Sequence, residues 1–425
     1  MLVTFSMPFA ASAFAIWTIA ALSTACVVIR PLRLPEAIWA VSGAVSLVAL
    51  GLLPMRDALV AIANGSDVYL FLVGMMLLSE IARREGLFDW VAALAVGAAQ
   101  GSGKRLFVLV YAVGIAVTAI LSNDATAVVL TPAVFAAATK ARVDPLPFLF
   151  ICALVANAAS FVLPISNPAN LLVYDGHMPP LIAWLSRFSF PSLLAIVATF
   201  FALRWAERDR LAKTCALMIE RPPLSSGGKT ALAGIALAAV LLLAVSALDI
   251  PLGLPTAILG VATALVVLVS NREAPWPALK EISWSIVPLV AGLFVFVAAL
   301  ARTGVIVELV HVLREATALS AMKTAAGAGG SVAVAANLMN NLPVGLVASS
   351  MLAQAHAPQS VADSVLIGVD LGPNLSVTGS LATILWLTAI RREGEDVNFW
   401  RFLKVGVVVM PPALVLALGA RLVFG

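Results

Sequence analysis

The stretch Asp370–Leu387, DLGPNLSVTGSLATILWL, sets an acid, an amide and four hydroxyls into an apolar run. Gly372, Pro373 and Gly379 interrupt any helix that carries them. Side chains of this kind grip a polar solute or move a proton. In hydrocarbon an unsatisfied backbone group costs several kcal/mol, so irregular backbone at that depth survives only inside protein or along a cavity. An interrupted membrane helix is therefore a candidate binding site, and a helix restarting near Ser380 would aim free N–H groups into the gap.

Three further stretches have the same character. Asn123, Asp124 and Thr126 follow Ser122; Asn157 and Ser160 precede Ser166, Asn167, Pro168 and Asn170; Asn337, Asn340 and Asn341 precede Pro343. Four polar breaks, two from each half, predict one shared site. We expect Asn123, Thr126, Ser166, Asn167, Asn170, Asn340, Asn341, Gly379, Ser380 and Thr383 to hold the solute. Intramembrane acids mark ion or proton paths, which makes Asp124 and Asp370 the proton-coupling candidates; the alternative role for each is capping a broken helix. Glu80, four residues before Arg84, reads as a helix-face ion pair, and His177, His311 and His356 read as surface residues. No Ser/His or His/Glu/His constellation falls within a span, which argues against an intramembrane enzyme. Cys26, Cys152 and Cys215 lie far apart and form no metal motif, so neither a metal nor a cofactor is expected.

The elements that must position these residues are membrane helices. The chain has 425 residues, 62% of them hydrophobic and only 11% charged, with a mean hydropathy of +1.04. That composition excludes a soluble globule and predicts an all-α polytopic membrane protein surrounded by lipid, with no nucleic-acid partner. Ten candidate spans lie near 8–29, 36–53, 67–83, 144–175, 188–204, 230–248, 254–270, 284–301, 362–390 and 404–422. The segments at about 105–139 and 325–355 are split by polar residues and read as re-entrant hairpins; those at 86–100 and 304–318 read as helices along the interface. With Arg30 and Arg33 cytoplasmic, 20 of the 26 Lys and Arg residues fall on that side, which places both termini outside the inner (plasma) membrane of a bacterial-type cell.

A shift of 218 positions superposes Leu72-Val73-Gly74 on Val290-Ala291-Gly292, Arg84-Glu85-Gly86 on Arg302-Thr303-Gly304, and Asn123 on Asn341. A shift of 213 pairs Asn157 with Asp370, Asn167 with Ser380, and Asn170 with Thr383. This predicts two repeats, 1–203 and 230–425, joined by a cytoplasmic linker at 204–229. Each repeat holds about five transmembrane helices, an odd number, so the second copy is inverted; each carries one hairpin and one discontinuous helix, at about 144–175 and 362–390.

Asp370-Leu371-Gly372-Pro373, with Gly379-Ser380-Leu381-Ala382-Thr383 and Leu385-Trp386-Leu387, resembles the signature of the arsenite efflux permeases, the arsenical pump membrane proteins of the ion transporter superfamily. Asn123-Asp124 followed by Leu130-Thr131-Pro132, and Ser166-Asn167 with Asn170, resemble the same family's first-half motifs. This chain carries Asn374 where the family often has lysine, and Ala125-Thr126 where it has Gly-Ala. The resemblance implies a scaffold domain and a moving transport domain that export arsenite or antimonite in exchange for protons. It raises a cytoplasmic ATPase subunit as a partner, and neither that subunit nor a homodimer is decided by the sequence. Trivalent arsenic in neutral water is an uncharged trihydroxide, which amides and hydroxyls can hold without a fixed cation. The other readings are a sodium- or proton-coupled carrier of another anion, a cation/proton antiporter of the same superfamily, and, from a different class, a membrane receptor that binds without transporting.

Overall fold

The computed structural model describes residues 9–174, 178–211, 214–216, 223–248 and 250–424. His177 and the linker residues Lys213 and Arg221 lie outside the described residues. The first half runs through α1 (Phe9–Ile29), α2 (Glu36–Ala49), α3 (Met55–Asn64), α4 (Ser66–Arg84) and α5 (Leu87–Ala99). It continues as α6 (Gly103–Ile120), α7 (Asn123–Ala125), a π-helical turn at Thr126–Leu130, α8 (Thr131–Lys140), α9 (Leu146–Ala158), α10 (Pro168–Val173) and α11 (Leu181–Ala206). The second half comprises α12 (Ser226–Ala247), α13 (Gly253–Asn271), α14 (Trp276–Glu281), α15 (Ile286–Ala301), α16 (Val305–Leu319), α17 (Ala321–Met339), α18 (Asn341–Ala355), α19 (Gln359–Leu371), α20 (Leu381–Arg392) and α21 (Phe399–Phe424).

The breaks fall where the sequence supplies caps and helix breakers. Ser122 caps α7 and Asn340, 218 positions later, caps α18; Asn167 caps α10 and Ser380, 213 positions later, caps α20. Pro164 and Pro168 flank one break; Gly372 and Pro373 open the 3-10 turn of the other. The packing follows the same two-fold exchange: α4 lies on α13 while its counterpart α15 lies on α2, and α11 packs against its own counterpart α21. The two inverted repeats are thus legible in both the breaks and the partners.

By length and composition, five described helices are able to cross a membrane unbroken: α6, α11, α12, α13 and α21. Two bent pairs, α3 with α4 (47°) and α15 with α16 (75°), bring the number to at most seven, where each pair counts as one span. The other expected spans are built from shorter helices, because 144–175 and 362–390 are broken in the middle and α1 and α2 are short as apolar segments. One expectation is corrected: Glu80 pairs with Arg83, three residues on, at 2.7–2.9 Å, and Arg84 pairs instead with Glu273 of α13 at 3.1 Å. Arg83 stands nearer in register to Glu80 and also meets Glu281, whereas Arg84 points toward the neighbouring helix. His311, beside Glu315, and His356 are exposed.

Candidate functional site

The four breaks meet in the middle of the fold. A pocket there is lined by Asn123 and Asp124 of α7, Asn167 and Pro168 at the start of α10, Asn341 and Leu342 of α18, Leu381 and Ala382 of α20, and Leu72 of α4. Apart from Leu72, which lies well inside α4, each contribution comes from the first turn of a helix or from its cap, because restarting helices place their polar first residues at the gap. No cationic side chain lines the pocket. Asn123 and Asn341 are buried, and the side-chain carbonyl oxygen of each has no hydrogen-bond partner among the described residues. These two asparagines are equivalent under the 218-residue shift, so the pocket wall carries a symmetry-related pair of asparagines whose amide oxygens are unpartnered among the described residues.

Behind the pocket the two broken elements are tied across the repeats. Asn167 Nδ2 donates to Asp370 Oδ1 at 2.7 Å, and Asp370 Oδ2 is buried without a hydrogen-bond partner among the described residues. Asn157 Nδ2 donates to Asn374 Oδ1 at 3.0 Å, Ser380 Oγ donates to Asn157 Oδ1 at 3.2 Å, and Asn374 Nδ2 donates to the Leu154 carbonyl at 3.0 Å. Asp370 therefore stands one residue back from the pocket and reaches it through Asn167.

The remaining candidates hold backbone. Ser166 Oγ donates to the Ala119 carbonyl and accepts from the Leu163 amide. Asn170 Nδ2 donates to the Ser160 and Pro164 carbonyls, Thr126 meets Thr118 at 2.8 Å, and Thr383 forms a capping box with Ser380. The Gly379 carbonyl accepts from the Asn341 amide at 2.9 Å, and a Cβ on Gly379 would stand 2.5 Å from the Pro373 Cα. Asn340 lines a separate cleft with Glu36 and Met339, and its Oδ1 accepts from the Leu342 amide at 3.3 Å. Among the described residues no three His, Cys, Asp or Glu side chains converge as metal ligands would.

A second, larger cleft adjoins the central pocket. Met75, Met76, Ser79 and Glu80 of α4 line it together with Ser122, Asp124, Glu281 and Ser283. The sequence reading did not place Leu72, Ser79, Glu281 or Leu381 at the site. Leu72 and Leu381 carry no polar signal, and only the folding of α4 and α20 against the breaks brings them in.

Against known proteins, the model of the citrate transporter family, CitMHS, matches residues 9–369. The chain belongs to the CitMHS family. Among curated relatives, this CitMHS-family chain is 26% identical over 414 residues to an uncharacterized transporter of Mycobacterium tuberculosis, covering 92% of this chain and 94% of that protein. It is also 26% identical over 393 residues to an arsenical pump membrane protein of Escherichia coli, covering 89% and 91% of the two chains. Two solved structures share its fold: the YdaH transporter of Alcanivorax borkumensis, with a TM-score of 0.55 at 15% identity over 86% of each chain, and MtrF of Neisseria gonorrhoeae, with 0.55 at 12% identity over 90% and 84%. The chain is therefore a multi-pass membrane transporter of the citrate transporter and arsenical pump type.

Proposed function

We propose that this transporter exports arsenite or antimonite from the cytoplasm in exchange for protons, by an elevator-like movement of the broken elements against the helices that frame them. One observation carries the reading: the central pocket is lined by Asn123 and Asn341, each with an unpartnered amide oxygen, and has no cationic side chain. An uncharged trihydroxide brings hydroxyl donors to such acceptors. A citrate-like polyanion would instead need positive charge. Helix N-termini can supply part of it, and here Ser122, Asn167, Asn340 and Ser380 each already accept one first-turn N–H. The arsenical pump relatives support the same substrate class. In this reading Asn123, Asn167 and Asn341 touch the solute, while Asp124 in the pocket wall and Asp370 behind Asn167 take up and release the proton. The membrane is the bacterial inner membrane with both termini outside, and a cytoplasmic ATPase subunit and a second copy are the partners the family likeness raises.

The test is arsenite uptake into everted vesicles with and without an imposed proton gradient. Uptake should follow the gradient, and Asp124→Asn should abolish that dependence in folded protein. Uptake that ignores the gradient rejects proton coupling. Free amide oxygens beside a carboxylate are also the ligands of a hard cation, which favours a sodium-coupled carrier as the second reading. Stimulation of uptake by sodium at constant pH selects it.

A further inference from the structure

The central pocket and the neighbouring cleft share three wall residues, Leu72, Asp124 and Pro168. The constriction between them thus has an apolar side chain from α4 on one side and the first turns of α7 and α10 on the other. Leu72 is buried, and its helix is packed closely from behind. Gly74, two residues on and so about 200° around the helix, faces the other way. A Cβ on Gly74 would overlap the Thr256 carbonyl of α13, and one on Gly260 would stand 2.8 Å from the Gly74 Cα. Backbone therefore lies against backbone directly behind Leu72. Asp124 and Pro168, in contrast, belong to elements whose continuity is already broken.

We propose that Leu72 is the fixed jaw of a size gate between the cleft and the central pocket, and that its side chain determines which solutes are admitted. The gate passes a compact, uncharged hydroxide and holds back a bulky carboxylate. The inference rests on the central pocket being the solute site. It adds a residue that carries no polar group and that lines both cavities.

The experiment uses the full chain in detergent with Cys26, Cys152 and Cys215 replaced, and reads thiol reactivity in place of transport. Ser283→Cys reports the cleft and Ala382→Cys reports the pocket. The probes are N-ethylmaleimide and a fluorescein maleimide, which share one chemistry and differ in bulk. Ser283→Cys should react with both, and Ala382→Cys with the small reagent only. Adding Leu72→Ala should speed the bulky reagent at Ala382→Cys by on the order of tenfold, the step in rate that about 1.4 kcal/mol of barrier makes. Leu72→Phe should slow the small reagent there while leaving Ser283→Cys unchanged. Leu72→Val should give an intermediate rate and keeps the test open if the alanine variant does not fold. Rates at Ala382→Cys that ignore residue 72, or no reaction with either reagent, overturn the gate. If the gate holds in this assay but arsenite is not transported, the solute assignment fails and the gate stands. If arsenite is transported and labelling ignores residue 72, the gate alone fails.

Discussion

Replacing Asn167 by leucine tests the join between the two halves. Asn167 is buried, donates to Asp370 Oδ1 at 2.7 Å, and accepts the Ala169 amide at 3.0 Å as the cap of α10. Leucine removes both bonds. Loss of the cap costs about 1 kcal/mol, and loss of a hydrogen bond to a buried carboxyl about 1.5–3 kcal/mol. The folded chain should therefore lose about 2.5–4 kcal/mol, of which only the second part belongs to Asp370. Asp370→Asn keeps an oxygen toward Asn167 and should cost less than about 1 kcal/mol. Asp370→Leu removes that oxygen, and combining it with Asn167→Leu should cost less than the sum of the single changes by about 1.5–3 kcal/mol. Denaturation in detergent of a chain with Cys26 and Cys215 replaced supplies the measurement, read by a thiol-reactive dye, because Cys152 is fully buried in α9 and reacts only when the chain opens. A coupling below about 0.5 kcal/mol would mean that the two side chains act independently, and the join as described would be wrong.

Further expectations concern the frame around the site. Arg421 donates to Asp363 Oδ2 through Nε at 2.8 Å and Nη2 at 2.6 Å, while Tyr174 and Gln359 donate to Oδ1; Arg421→Leu should cost about 3–5 kcal/mol, and adding Asp363→Leu should recover most of it in the same unfolding assay. A Cβ on Gly368 would stand 3.2 Å from the Gly329 Cα and overlap the Gly329 carbonyl, so Gly368→Val should destabilise by about 1–3 kcal/mol or more and lower the yield of folded protein; an unchanged yield would show that α17 and α19 can separate freely. Burial holds the Glu207 carboxyl above its ordinary 4.5, against the pull of Arg401 and Arg210. A raised folded value means the folded chain holds that proton more tightly, so this contribution to stability is present in acid and is lost as pH rises from about 4.5 through the folded value. Glu207→Gln should therefore be neutral or stabilising at neutral pH and should flatten that part of the pH–stability curve.

Much of the architecture could be read in the residues. Ser122, Asn167, Asn340 and Ser380 are cap-type side chains beside Gly or Pro or at the edge of apolar runs, and the helices begin at each of them. The spacing of Asn123 to Asn341 places both in one pocket. What a polar side chain does at a break was harder to read. Ser166, Thr126 and Thr383 have the same chemistry as the pocket residues, yet their hydroxyls are occupied by nearby backbone or by neighbouring hydroxyls, while Asn170 spends its side-chain N–H groups on backbone carbonyls and its amide oxygen is unpartnered among the described residues. Local sequence does not distinguish an amide that satisfies its own turn from one left free for a solute. The count of crossings was similarly ambiguous, because an apolar run of given length can be one helix, as in α21, or two short ones around a break, as in α9 and α10.

By itself, the sequence determined that the chain is a helical membrane protein with two related halves, and where its helices stop. Apolar length, charge and cap chemistry are local properties, each written within a few residues of its effect. Tertiary structure alone decided that Asp370 lies behind Asn167 and outside the pocket wall, that Glu80 pairs with Arg83, and that Leu72 stands between two cavities. Those are consequences of distance through space. They depend on how closely α4 settles on α13 and how the broken helices interlock, and no pattern along the chain encodes such a separation.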